Sequence, residues 1–178
     1  LENICLAVKA IVNNYDNVQI VYPVHLNPKV RSTVYSILGN TDRVHLIDPL
    51  DYQTFIKLAE RSYLILTDSG GLQEEAPSLG KPVLILRKVT ERTEAVDMGI
   101  SVLVGTSYNR IVEETIKLLD NEKIYLSRSK IKNPFGDGKT SKRVIDVLLR
   151  WKDQKLPLLC HEDEFSTGTD EVRAYESH

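Results

Sequence analysis

The chain has 178 residues, 42% of them hydrophobic and 27% charged, with a formal net charge of -2 and a pI near 6.1. A globular chain of this length buries roughly 70% of its unfolded surface in one ordinary domain, which excludes a disordered chain, a collagen-like chain and a disulfide scaffold. No global basic field draws in nucleic acid and no apolar run is long enough to cross a bilayer, so neither nucleic acid nor a membrane is an expected partner.

The chain opens on Leu1-Glu2-Asn3, with no initiator methionine and no signal peptide, and is expected to be a piece of a longer protein. Leu1, Ile4, Val8, Ile11 and Val12 recur at helical spacing until Asn13-Asn14. Val18 to Tyr22 is a short β-rich run closed by Pro23. Pro28 opens a second helix carrying Val30, Val34, Ile37 and Leu38, which Gly39-Asn40 ends. Val44–Ile47 is a second strand, and Tyr52–Arg61 a helix with Phe55, Leu58 and Ala59 on one side. Tyr63–Thr67 is a third strand, almost wholly apolar. A short helix spans Leu72–Leu79, and Gly80-Lys81-Pro82 turns the chain into a fourth strand, Val83–Leu86. Glu94–Met98 makes a helical turn, Ser101–Val104 a fifth strand, and Asn109–Leu119 and Thr140–Trp151 two amphipathic helices. From Leu156 the apolar period is lost among Asp, Glu, Ser and Thr. Residues 1–152 are expected to form the domain and residues 153–178 a poorly ordered tail. Of the two cysteines, Cys5 sits in an apolar helical pattern and reads as a small buried hydrophobe, and Cys160 lies in the tail. Neither has zinc-ligand spacing, so no metal and no cofactor is expected, and a reducing cytoplasm is the expected compartment.

Strands that alternate with helices and are apolar on both sides indicate an α/β fold with a doubly wound parallel sheet, here one open sheet of five or six strands. Such sheets bind ligands beyond the carboxyl ends of their strands. The loops to search therefore follow Tyr22, Ile47, Thr67, Leu86 and Val104.

Thr67-Asp-Ser-Gly-Gly-Leu-Gln-Glu-Glu-Ala-Pro77 carries the most chemistry. Asp68 and Ser69 suit a helix cap. Gly70 and Gly71 permit tight backbone angles and leave no side chain in the way. The N–H groups of the first turn then favour an anion such as a diphosphate, with the Ser69 hydroxyl as a further donor. Glu74 and Glu75 suit hydroxyls such as a ribose diol better than a phosphate. A plain capped turn with a solvated Glu-Glu pair explains the same residues. After the fourth strand, Arg87, Lys88 and Arg92 offer groups that match phosphate oxygens, or simply a solvated loop of mixed charge. His25, between Pro23 and Pro28, is a ligand contact or a structural histidine in a rigid turn. Phe55 stacks on a base or packs in the core. Asn133-Pro-Phe-Gly-Asp-Gly138 is a turn-rich bridge into the last helix, a packed hinge or a ligand loop.

Taken together, Pro23-Val-His-Leu-Asn-Pro28, the run from Asp68 to Pro82, Thr90-Glu-Arg92 and Asn133–Gly138, in this order and spacing, resemble the non-hydrolysing UDP-N-acetylglucosamine 2-epimerases of bacteria and archaea. The resemblance runs from the first residue to about Trp151 and covers only the C-terminal half of that family. It implies the C-terminal, Rossmann-like domain of a GT-B-type two-domain fold. It also implies that Ser69, Gly70 and Gly71 bind the UDP diphosphate, that Glu75 grips the ribose and that Phe55 lies near the uracil. Arg92 would reach the phosphates or the substrate side of the cleft, and His25 would belong to a second, regulatory UDP-N-acetylglucosamine site.

The family interconverts UDP-N-acetylglucosamine and UDP-N-acetylmannosamine by anti-elimination of UDP to 2-acetamidoglucal and re-addition on the other face. The acid/base carboxylates come from the N-terminal half, so no catalytic residue is expected in this chain. The expected partners are UDP, UDP-N-acetylhexosamines and that N-terminal half, with the parent a homodimer. The chain alone is expected to bind UDP at best weakly and not to turn over. Two other readings stay open: the UDP-sugar-binding domain of a GT-B glycosyltransferase, and a non-catalytic UDP-sugar-binding regulatory module.

Overall fold

The structure, a computed structural model, describes residues 1–160 and 163–166. The part of the expected tail at 161–162 and 167–178 lies outside the described residues. The chain divides into two compact units, Leu1–Ile131 and Lys132 onward.

The first unit alternates helices and strands. α1 spans Glu2–Asn14, β1 Ile20–Pro23, α2 Pro28–Leu38, β2 Val44–Ile47, α3 Tyr52–Arg61 and β3 Ile65–Thr67. α4 follows at Gly70–Glu75 and runs into a 3-10 turn at Ala76–Leu79. Then come β4 Val83–Ile85, α5 Glu94–Asp97, β5 Ser101–Leu103, α6 Tyr108–Asp120 and α7 Glu122–Ser129. α2 and α3 begin where the sequence supplies caps. Asn27 accepts from Lys29 N–H just before Pro28, and Asp51 accepts from Thr54 N–H. α7 is not foreseen from the sequence, because Ile124, Tyr125 and Leu126 are consecutive rather than spaced at 3.6 and no residue of it is buried. The local signals for it are Asn121, whose side chain accepts from Ile124 N–H at 3.1 Å, and the charges Glu122 and Arg128 in its first and last turns.

All strand pairs are parallel, but the expected single sheet is two: β1–β2 and β3–β4–β5. Among the described residues no strand hydrogen-bonds to both β1 and β3, so side-chain packing rather than a backbone ladder joins the sheets. α1 supplies it with two adjacent stripes. Ala7 and Ile11, with Ile4 beside them, pack with Leu84 of β4 and with Ile111 and Leu118 of α6. Cys5 and Val8 pack with Val24, Val34 and Leu38, beside Ile20, Tyr22, Val44 and Leu46. Cys5 is fully buried, as its helical setting suggested.

The β3–β4–β5 sheet is covered on both faces. Leu64, Leu66, Leu86 and Val102 face the α1–α6 side. Ile65, Val83, Ile85 and Leu103 face Ala59 of α3 and Leu72 and Ala76 of α4 and its 3-10 extension. The expectation of two apolar faces fails for β1–β2, where Val21 is 40% exposed and its partner His45 bonds Gln19 at the surface. The architecture is an α/β, Rossmann-like fold.

The carboxyl end of α1 is fastened by a residue far away in sequence. Arg43, at φ 60°, donates from Nη2 to Val12 O at 2.8 Å and from Nη1 to Val18 O at 3.3 Å, and Nη1 also reaches Tyr15 O. Val12 O is one of the acceptors that a helix end otherwise leaves unmatched, and the other two lie just beyond it. The Tyr15 hydroxyl donates to Asp120 Oδ1 at 2.8 Å, tying the same corner to the end of α6.

In the second unit, α8 spans Thr140–Lys152. The Asn133–Gly138 bridge behaves as a turn. Asn133 Oδ1 accepts from Phe135 N–H, and Asp137 Oδ1 from Lys139 N–H, both at 3.0 Å. Asp137 also takes both Nη groups of Arg143, at 2.7 and 2.8 Å. This paired guanidinium and the Lys139 amide hold the Asp137 carboxyl well below the ordinary carboxylate range.

Two tests follow from these contacts. Arg43→Met should lower the free energy of urea unfolding by about 2 kcal/mol, since a charged donor to several half-buried carbonyls is lost; a change under about 0.5 kcal/mol would refute the role. A carboxyl depressed in the fold stabilises fully above its unfolded pKa and loses that stability as pH falls toward the folded value. The stability gap between wild type and Asp137→Asn should therefore be widest near about pH 6 and shrink below about pH 4. A gap independent of pH would count against the pair.

Candidate functional site

The site is built where β3 and β4 end. β3 leads through Asp68 into Ser69, whose Oγ accepts from Leu72 N–H at 3.5 Å and caps α4. The Ser69 N–H donates to Thr67 Oγ1 at 3.0 Å. The helix is six residues long before it tightens into the 3-10 turn, shorter than the continuous helix expected over Leu72–Leu79. A dipole that short contributes little. What the turn offers an anion is its own N–H groups, the Ser69 hydroxyl and a cation delivered from elsewhere.

Arg92 is that cation. Its Nε donates to Glu74 Oε1 at 2.6 Å, and its Nη1 pairs with Glu91. The Glu74 hydrogen bond, with both carboxylates near, pushes the guanidinium pKa further up. The guanidinium lies against Gly70: a Cβ there would sit 2.8 Å from Arg92 Cζ. At Gly71 the same construction meets nothing within 4 Å. Both glycines have ordinary helical backbone, so the tight angles expected of them are not needed; the room they leave is. Gly70 admits the arginine from inside, and Gly71 leaves the outer face open.

Glu75, one turn along, accepts from the Tyr52 hydroxyl at 3.3 Å, and its carboxylate raises the Tyr52 phenol pKa. Tyr52 is 65% exposed and was not singled out in the sequence, although Tyr52 and Phe55 stand three apart on one side of α3. Phe55 is half-buried against the cluster of Ala59, Leu72 and Ala76. It has a packing role whatever its exposed edge contacts.

The structure thus brings Ser69, Gly70, Gly71, Glu74, Glu75, Arg92 and Tyr52 together. His25 stands apart on the β1–α2 loop, where its Nδ1 accepts from Asn27 N–H at 3.1 Å. Arg87 pairs with Glu91 at 3.4 Å. Lys88 lines a separate cleft of about 530 Å³ with Asn3, Gly105, Thr106, Ser107 and Asn109. Among the described residues no group of His, Cys, Asp and Glu could hold a metal, and no helix is long and apolar enough to cross a membrane.

The two glycines give opposite expectations. Gly71→Ala should raise stability by about 0.5–1 kcal/mol, the ordinary helix-propensity gain in open space. Gly70→Ala should bring no such gain, because the methyl group displaces Arg92. Equal stabilisation of both variants in urea titrations would show that Arg92 does not rest on Gly70.

The profile of the UDP-N-acetylglucosamine 2-epimerase family matches residues 1–149. The UDP-N-acetylglucosamine 2-epimerase of Escherichia coli K12 is 53% identical over 147 residues, which are 83% of this chain and 39% of that protein. The S. aureus MnaA–UDP co-structure superposes with a TM-score of 0.82 at 45% identity, over 85% of this chain and 42% of that one. The Neisseria meningitidis UDP-GlcNAc 2-epimerase bound to UDP-GlcNAc gives 0.80 at 44% identity, over 84% and 40%. The chain spans about two fifths of the length of the relatives it matches. On the match across residues 1–149, with the fold agreeing, this chain belongs to the UDP-N-acetylglucosamine 2-epimerase family.

Proposed function

We propose that this chain is the nucleotide-binding part of an epimerase that interconverts UDP-N-acetylglucosamine and UDP-N-acetylmannosamine. The observation that carries the reading is the Arg92 guanidinium seated against Gly70, beside the open face of Gly71. A diphosphate lying over that face accepts from the first-turn N–H groups and the Ser69 hydroxyl while Arg92 neutralises its charge. The Glu75 carboxylate, which now accepts from Tyr52, takes the ribose hydroxyls instead. The aromatic edge of Phe55 lies on the uracil side. His25, held by its own turn, belongs to a second UDP-N-acetylglucosamine site that regulates the enzyme.

In the reaction the C2 proton is removed and the C1–O bond breaks, its electron pair leaving with UDP, to give 2-acetamidoglucal. Re-addition of UDP with protonation of C2 from the other face gives the epimer. This chain's residues stabilise the departing diphosphate and hold the nucleotide while the sugar is exposed on both faces. The proton-transferring carboxylates belong to the N-terminal half of the enzyme, which works as a homodimer. The exposed apolar side chains of α8, among them Val144, Ile145, Leu148 and Leu149, suit a chain that works as part of a longer one.

Calorimetry with UDP tests the reading. Wild type should bind, Ser69→Ala and Glu75→Ala should each weaken binding about tenfold or more as a ligand hydrogen bond is lost, and the 178-residue chain should show no epimerisation. Unchanged affinity in both variants would refute the site, and turnover by the chain alone would refute the division of labour.

A further inference from the structure

Gln73 and Thr90 have no role in the ligand contacts above, yet they join the two segments that make the site. Gln73 lies in α4 and is fully buried. Its Oε1 accepts from Thr90 Oγ1 at 2.6 Å. Thr90 Oγ1 in turn accepts from Arg92 N–H at 3.1 Å, a side-chain turn that sets the backbone two residues on. Arg92 then meets α4 twice more, through Glu74 Oε1 and against Gly70. Within one turn of α4, Gly70, Gln73 and Glu74 each hold the 90–92 segment. The order is chemically specific. The threonine hydroxyl has one proton to give, to the amide oxygen, and a lone pair left for the arginine N–H.

The other end of the amide argues that Gln73 is not there for stability. Its Nε2 is buried with no hydrogen-bond partner. A buried donor left unpaired is unfavourable, and an apolar side chain of similar length avoids the penalty. Such violations of packing logic are expected where a group serves function.

We propose that Gln73 and Thr90 are positioning residues that preset the Arg92 guanidinium over Gly70 before the nucleotide arrives. They touch neither diphosphate nor sugar and act through Arg92 alone. A preset arginine loses less side-chain freedom on binding than a mobile one, so the network raises affinity without a contact of its own. The inference rests on the diphosphate reading of the site.

The test is a double-mutant cycle with UDP on the 178-residue chain. Thr90→Val, close in shape but unable to make either bond, should weaken UDP binding about tenfold. In the Arg92→Ala background it should weaken binding no further, and Thr90→Ser should restore wild-type affinity. Unchanged affinity in Thr90→Val, or an equal loss with and without Arg92, overturns the proposal. A second measurement needs no nucleotide. The Arg92 Nε–H signal in a nitrogen-15 spectrum, assigned by its loss in Arg92→Ala, should be protected from solvent exchange in wild type and Thr90→Ser. It should exchange freely in Thr90→Val and Gln73→Leu proteins that keep the wild-type circular dichroism. Protection that survives in folded Thr90→Val overturns the proposal. If wild type binds no UDP, the diphosphate reading fails, and the exchange of that signal still decides whether Arg92 is held by Thr90.

Discussion

α1 is the constraint on which the rest of the first unit depends. The two parallel sheets share no backbone ladder among the described residues, so their relation rests on one helix with two apolar stripes, Cys5 and Val8 toward β1–β2 and Ala7 and Ile11 toward β3–β4–β5 and α6. Burial of a branched side chain such as Val8 or Ile11 contributes roughly 1.5–3 kcal/mol. Arg43 fixes where the helix stops by collecting the carbonyls around its end. With α1 held, β1 and β3 are held too: the Asp68 carboxylate, just past β3, is close enough to act on the Tyr22 phenol of β1, whose pKa burial chiefly pushes up.

The site follows the same logic on a smaller scale. Nothing about residues 87–92 by themselves puts an arginine over a helix start. The placement comes from the complementarity of a missing Cβ at Gly70, a carboxylate at Glu74 and a buried amide at Gln73, all on one turn of α4. A short helix with little dipole thereby has a cation, Arg92, seated at its first turn. In the proposed reaction that arrangement would serve a leaving diphosphate, because donors oriented before charge develops need no reorganisation.

Much of the fold was legible from local signals. Asn27-Pro28 and Asp51-Tyr52 mark the starts of α2 and α3 as the structure has them, because capping and proline geometry are decided within three or four residues. Val44–Ile47 was legible for the same reason, as an apolar run between turns. α7 was not, since its helicity rests on Asn121 and on tertiary contacts such as the stacking of Tyr63 on Tyr125, ring centroids 4.0 Å apart. Tyr52 was passed over because an exposed tyrosine has no periodic signature. Only the fold brings it to Glu75, 23 positions away.

The sequence by itself determined the α/β class, the succession of strands and of the helices other than α7, and the loop carrying Ser69, Gly70, Gly71 and Glu75, because each depends on neighbours in the chain. Tertiary structure decided that the sheet is split, that Gly70 makes room for Arg92 rather than for an unusual backbone angle, and that Gln73 reaches Thr90 across 17 positions. These depend on which surfaces meet. Residue types and spacings do not encode that until packing closes the distance.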